Sequence, residues 1–215
     1  MKSKLESAKN VIKLFTFLLI VWGFYRILFQ LPEELEEFVI KPVIWLGAVA
    51  FMLKKEKKSI SSIGITTKKL FPAIYMSLAL GAVFAIEALL LNYIKYSSFN
   101  FGAYIGPNPF ILAFAISIAT AISEEIAFRG YIFTRVRQLI NKEWSANILT
   151  SIGWALIHIP IVIVDWRMPL QSALPYFLLI ILFGIGSAWV YARTGNIFSS
   201  ILLHVLWAWP IALFR

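Results

Sequence analysis

Ser123-Glu124-Glu125-Ile126-Ala127-Phe128-Arg129-Gly130 lies inside an apolar stretch that runs from about Pro109 to Phe133. Two adjacent carboxylates and a guanidinium are set there among Ile, Ala and Phe. Charge at the centre of a bilayer costs about 2.5–3.5 kcal/mol per residue on insertion scales, and such residues face a bundle interior or a water-filled cavity. The rest of the chain makes a bilayer the natural setting. Its 215 residues are 60% hydrophobic and 14% charged, against roughly 25% charged in an ordinary soluble domain, and the mean hydropathy is +0.80. That composition excludes a disordered chain and disfavours a soluble fold. The expectation is an all-α, polytopic membrane helical bundle forming a single integral-membrane domain over residues 1–215. With no Cys, disulfides and thiolate metal sites are excluded. The net charge of +9 raises nucleic acid as a partner. The lysines cluster in loops between apolar runs, however, which reads as membrane topology and attraction to anionic lipid, with no nucleic-acid partner.

Working outward, seven apolar runs of spanning character separate into helices. Lys2, Lys4, Lys9 and Lys13 precede a run from about Leu14 to Phe29. No small-residue cleavage site follows it, so it reads as an uncleaved first span with Arg26 snorkelling near its far end. An acidic turn, Leu31 to Glu37, leads to a second, short span from about Phe38 to Leu53, whose start is blurred by Lys41 and Pro42. A loop from Lys54 to Lys69 holds six Lys and one Glu. The third span runs from about Phe71 to Ile94, and a nearly uncharged Gly/Pro loop, Lys95 to Asn108, follows. The remaining spans are about Phe110–Phe133, Ala146–Val164, Ala173–Tyr191 and Ile197–Phe214. Taken alternately, the basic connections all fall on one side, with Arg215 the single exception. By the positive-inside rule the N-terminus is cytoplasmic.

That topology places three unusual residues at one depth. Counted from the cytoplasmic ends of their spans, Glu124, His158 and His204 lie about ten, twelve and eight residues in, which at ~1.5 Å per residue is roughly 12–18 Å. The hydrocarbon core is about 30 Å thick, so one layer near the midplane collects a carboxylate and both histidines of the chain. Glu125 and Arg129 stand at i and i+4, stack on one helix face and neutralise each other. Glu124 is rotated by about 100° from Glu125 and has no partner on its own helix, which suits it to general acid–base work. Pro160 frees the Leu156 carbonyl and kinks its span, opening room beside His158. A water between Glu124 and His158 becomes a nucleophile once the carboxylate accepts its proton. His204 is placed to donate to an oxyanion, with Ser200 one turn before it. Bland readings stand beside these. A membrane Glu–Arg pair can be structural glue, and a lone His is more often a packing residue. Glu87, far from the layer, reads as structural or snorkelling. The eight Trp read mostly as lipid-facing or interfacial packing, and the six-Lys loop as a topology signal.

Three motifs now stand in order: Glu124-Glu125-x-x-x-Arg129, Trp154-Ala-Leu-Ile-His158, and His204-Val-Leu-Trp-Ala208. They resemble the signatures of the CPBP intramembrane proteases, also called the CAAX prenyl protease 2 or Abi family. Trp154 stands where Phe is usual there, and Ala208 where Asn is frequent. Ser62-Ile-Gly64 and the Gly195-Asn196 turn add to the likeness, which covers about residues 60–210 and is strongest over the motif-bearing core at about 109–209. The resemblance implies an all-helical membrane fold and hydrolysis of a peptide bond inside the bilayer. It implies that Glu124 and His158 activate water, that His204 holds the oxyanion, and that Glu125 with Arg129 supports the site. Losing one oxyanion donor costs about 10²–10³ in rate, so Ala208 calls for a substitute such as Trp207, Trp209 or Ser200. Seven spans is one fewer than expected of the eukaryotic prenyl protease.

The family is commonly labelled metallopeptidase, and two His with a Glu could bind a divalent metal such as zinc. The H-E-x-x-H spacing is absent, and a metal-free glutamate mechanism explains the pattern as well. The expected partners are the lipid bilayer and a membrane-bound or lipidated peptide or protein substrate, with CAAX-type or peptide-leader processing as the setting. The expected location is the cell membrane, multi-pass. Two other classes remain open: a catalytically inactive membrane chaperone or immunity protein of the same fold, favoured by Ala208, and a proton-coupled transporter built on the same Glu–His layer.

Overall fold

The structure, a computed structural model, describes residues 2–100 and 109–214. It forms seven helical rods among those residues and no strand: α1 (2–28), α2 (33–56), α3 (Leu70–Tyr96), α4 (Phe110–Ile140), α5 (143–165), α6 (Leu170–Thr194) and α7 (Ile197–Phe214). The seven apolar runs thus become seven helices. Five of them, α1 and α3 to α6, are long and apolar enough to cross a membrane. The expected second span does not reach that standard, because α2 carries Glu36, Glu37 and Lys41 in its first half. On α7 the stretch Ile197–Ala208 is a shorter apolar helix. The uncharged loop falls largely outside the described residues, as does Arg215.

The packing is that of a protein in lipid. Phe71, Ile111 and Val43 stand 80%, 81% and 68% exposed, while Glu125 and Arg129 are fully buried. Exposed apolar belts of this size mark a surface made for hydrocarbon, and the charges turn inward, away from it. Small residues let the helices close on one another. A methyl group on Gly81 of α3 would come within 2.8 Å of Leu206 on α7, and Ser77 donates across the same contact to the Ser199 carbonyl at 2.7 Å. Gly64, at φ +81°, has no space for a side chain beside Tyr191 and receives the Ile197 N–H at 2.8 Å.

Helix ends follow local chemistry. Pro109 and Pro169 stand in extended conformation before α4 and α6, where their missing N–H costs nothing. Left-handed Lys57, Asn141 and Gly195 close α2, α4 and α6. Four of the helices contain a widened π-helical turn. Three of these adjoin the polar layer: Glu36–Ile40 before Lys41, Ile126–Phe133 after Glu125, and Ile161–Asp165 beyond His158. Such turns recur at functional sites because they re-aim side chains. Pro42 and Pro160, which cannot donate to the ladder, flank two of them. At His158 the α-helix breaks, its N–H reaching only to the Ala155 carbonyl.

Candidate active site

Glu124, Glu125, Arg129, His158 and His204, from α4, α5 and α7, meet in one buried layer. Glu125 and Arg129 pair as their spacing predicts, Nη1 to Oε1 at 3.2 Å. The guanidinium lies over the face of Trp154, 4.6 Å from the ring centre, and Gly184 makes room for it, since a methyl group there would sit 3.1 Å from Nη2. Glu125 also receives the Ser187 hydroxyl at 2.7 Å and bonds His204 Nδ1 at 2.8 Å. It is therefore more than half of an ion pair: it fixes the imidazole of a third helix. A carboxylate only accepts, so His204 Nδ1 carries the proton and Nε2 remains for the cavity that His204 lines.

Glu124 differs from expectation. It lacks a partner on its own helix, but it is not free. Lys41 Nζ lies 2.7 Å from its Oε1, and Trp154 Nε1 donates to its Oε2 at 3.0 Å. Lys41 in turn donates to Glu37 at 3.0 and 3.2 Å, and Glu37 accepts from the Thr120 hydroxyl at 2.6 Å. The rings of Trp22 and Trp45 flank the ammonium at 5.5 and 5.7 Å. His158 Nε2 stands 4.0 Å from Glu124 Oε2, and its Nδ1 lies 2.9 Å from the Trp154 carbonyl. A carbonyl can only accept, so Nδ1 donates there and Nε2 presents its lone pair toward the carboxylate.

These groups form the floor of a cavity of about 590 Å³. Its walls include Trp166, Tyr176, Ile180 and Trp207, and its rim Arg26, Gln30, Glu33 and Glu36. Arg26 does not snorkel: its guanidinium pairs with Glu36, which also accepts from Tyr25 at 3.1 Å. At the rim, burial first and then the neighbouring carboxylates of Glu37, Glu34 and Glu36 push the Glu33 pKa up.

Other expectations are corrected by packing. Trp22, Trp45, Trp154 and Trp207 are buried around the layer rather than lipid-facing. Trp207 stacks on Phe183 at 4.4 Å and meets the His204 ring at 6.2 Å. Ser200 donates to the Ser187 carbonyl at 3.1 Å and does not line the cavity. Ala208 is also absent from the lining, and the Trp209 side chain lies outside the described residues. Glu87 is half-buried on α3, away from the cavity.

Lys41, Glu37, Thr120 and Ser187 escape a reading of motifs. Lys41 carried the one available signal, an i, i+4 pair with Glu37 inside an apolar run. Ser187 carried none. A divalent metal would have to draw on Glu124, His158 and His204. The Lys41 ammonium already sits on one oxygen of Glu124, while His158 and His204, each bonded through Nδ1, keep Nε2 unused, as metal-bound histidines do. Among the described residues no group of three His, Asp or Glu is arranged to hold a metal.

Comparison with known proteins agrees with the motifs. Residues 106–210 match the family model described as type II CAAX prenyl endopeptidase, Rce1-like. The chain is also similar to CAAX prenyl protease 2 of Methanococcus maripaludis, at 25% identity over 196 residues, covering 86% of this chain and 71% of that protein. Both findings support the CPBP, or CAAX protease, family for this chain.

Proposed function

Proceeding from the CPBP, or CAAX protease, family, we propose that this chain is an intramembrane endopeptidase that hydrolyses a peptide bond with water held between Glu124 and His158. The observation that carries the proposal is the pairing of the Glu124 carboxylate with His158 Nε2, 4.0 Å apart, at the floor of a cavity between spanning helices. Each oxygen of Glu124 keeps a lone pair beyond its bond to Lys41 or Trp154. A water there donates one hydrogen to Glu124 and the other to His158 Nε2. Its oxygen attacks the scissile carbonyl carbon as Glu124 takes the proton, and the same proton then passes to the leaving amine. His204 Nε2–H stabilises the oxyanion. Because Nδ1 is bonded to Glu125, that role needs protons on both nitrogens, and the Glu125 carboxylate stabilises such an imidazole. Arg129 and Ser187 hold Glu125 in place. Trp154, the nearer indole at 5.8 Å, gives its N–H to Glu124, so Trp207, 6.2 Å from the His204 ring in the cavity wall, is the candidate second donor where Ala208 has none to offer.

The reaction needs no metal in this reading, which the Lys41 ammonium on one oxygen of Glu124 supports. The substrate is a membrane-bound or lipidated polypeptide, and the cell membrane is its location. The relative's name, CAAX prenyl protease 2, refers to prenylated substrates. The test is cleavage of an internally quenched peptide by the purified chain in liposomes, with and without a chelator. Cleavage that survives the chelator is the expected result. Cleavage lost with it and restored by zinc contradicts the metal-free mechanism, and no cleavage of any lipidated or leader-type peptide contradicts the enzyme.

A further inference from the structure

At the lysine-rich end of the bundle, away from the Glu124 cavity, lies a second hollow of about 560 Å³. Lys4, Ser7 and Asn10 of α1, Lys55 and Lys58 around the end of α2, and Arg135 of α4 line it. The two carboxylates that border it already have cations. Glu56 is paired with the buried Arg135 at 2.9 Å, and Glu6 faces Lys9 at 3.7 Å. Lys55 gives one N–H to the Asn10 amide oxygen at 2.7 Å. Among the described residues no carboxylate pairs with Lys4, Lys55 or Lys58. The hollow therefore presents ammonium groups whose charge is not compensated, with the Ser7 hydroxyl beside them. Donors of that kind hold a phosphate through charge-assisted hydrogen bonds.

A cleft of opposite character adjoins it. An apolar groove of about 300 Å³ runs between α1, α4 and α5, walled by Ile12, Phe15, Ile132, Leu149, Ile152 and Leu156. Thr150 borders it too, but its hydroxyl turns back to the Ala146 carbonyl at 2.8 Å. Ile12, Leu149, Ile152 and Leu156 are exposed, so the groove opens on the face made for hydrocarbon. Gly153 keeps its floor low, since a methyl group there would stand 3.3 Å from the Phe15 ring. Hollow and groove succeed each other on two helices at once. On α1 the lining passes from Asn10 to Val11, and on α4 from Arg135 to Val136. Depth agrees with that order. Arg135 lies eleven residues beyond Glu124, which is midway along α4, about 16 Å at 1.5 Å per residue. Half of the hydrocarbon core is about 15 Å, so the hollow stands at head-group level and the groove beneath it in the acyl region. We infer that hollow and groove form one binding site for an anionic phospholipid, its phosphodiester among Lys4, Lys55 and Lys58 and one acyl chain along α1 and α4. Basic pockets between spanning helices are known to take such head groups. The site shares no lining residue with the Glu124 cavity and does not depend on the proposed peptidase activity. A lipid seated there fastens α1 to the helix that carries Glu124, Glu125 and Arg129.

The probe is phosphatidylglycerol, set against zwitterionic phosphatidylcholine of the same acyl chains. Each is offered to the full chain in detergent, and bound lipid is counted by native mass spectrometry. The chain is expected to retain phosphatidylglycerol and to hold phosphatidylcholine about tenfold less. Lys55→Gln combined with Lys58→Gln is expected to lower phosphatidylglycerol retention about tenfold. Lys68→Gln combined with Lys69→Gln removes the same charge from the same loop and is expected to leave retention at the parental level. All four side chains are exposed, and Gln keeps a donor for Asn10 at position 55, so unfolding temperatures without added lipid should match the parent chain in both pairs. Equal losses in the two pairs mean diffuse attraction to a basic surface and overturn the site, as does equal retention of the two lipids. Glycerophosphoglycerol, the same head group without acyl chains, and inorganic phosphate should displace none of the bound lipid at matched concentration. Displacement by either assigns the hollow to a soluble anion and overturns the role of the groove.

Discussion

Two carboxylates in this bundle, Glu56 at the lysine-rich end and Glu124 midway along α4, are both paired with a cation and both beside a cavity, Glu56 half-buried and Glu124 buried. They differ in saturation. Glu56 accepts from Tyr131 at 2.6 Å, from Asn10 at 3.2 Å, and from Arg135 Nε and Nη2 at 3.0 and 2.9 Å. Four donors fill its lone pairs, although it borders a hollow of about 560 Å³. Glu124 has two protein donors, Lys41 and Trp154, with a histidine lone pair 4.0 Å away. A saturated carboxylate is a brace wherever it lies. One that keeps acceptor capacity toward a cavity can bind and deprotonate water. Glu125, bonded by Arg129, Ser187 and His204 and wholly buried, falls with Glu56.

The largest expected effect that would break this contrast is at His158. His158→Gln exchanges the basic imidazole lone pair facing Glu124 for a far weaker and differently placed amide acceptor and is expected to lower kcat by about 10²–10⁴, the usual contribution of general acid–base groups. Thermal unfolding should move little, since His158 contributes one backbone bond. Lys41→Met comes next. It removes a charged hydrogen bond to Glu124, worth about 1.5–3 kcal/mol, and turnover should fall by about ten- to a hundred-fold. It also leaves Glu37 and Glu124 without their shared cation, so unlike His158→Gln it should lower the unfolding temperature. The smallest effect on turnover belongs to Glu56→Gln, where the rate per folded molecule should match the parent chain.

That last variant should show itself in stability against pH instead. Burial alone would raise the Glu56 pKa, but the Tyr131 hydroxyl, the Arg135 charge and the Asn10 amide outweigh it and hold it below the ordinary 4.5. A carboxyl with a depressed folded pKa adds stability above its unfolded value, and that stability is lost as pH falls through the folded one. The parent chain should therefore lose stability faster than Glu56→Gln as detergent solutions are acidified below about pH 4.5, as followed by unfolding temperature.

Much of this was legible in the sequence, for reasons that lie in helical geometry. A carboxylate and a guanidinium four residues apart must share a face. A count of residues from charged helix ends gives depth, and depth brought Glu124, His158 and His204 into one layer before any contact was known. What the sequence hid were singular long-range contacts. Glu37 and Thr120 are 83 residues apart, and Ser187 and Glu125 are 62 apart. No periodicity announces them. Lys41 was visible as a charge in an apolar run, yet beside Pro42 it blurred a helix start. Trp154 was visible as a motif residue, but its N–H bond to Glu124 depends on how α5 leans on α4.

Catalysis at this site depends on Glu124 keeping a lone pair for water. Glutamine preserves its shape and its bond from Trp154 but cannot accept a proton. The direct measurement is the rate of peptide cleavage by Glu124→Gln in liposomes, at a folded fraction matched to the parent chain. Cleavage at the background rate is the predicted result, and cleavage at the parental rate would contradict it.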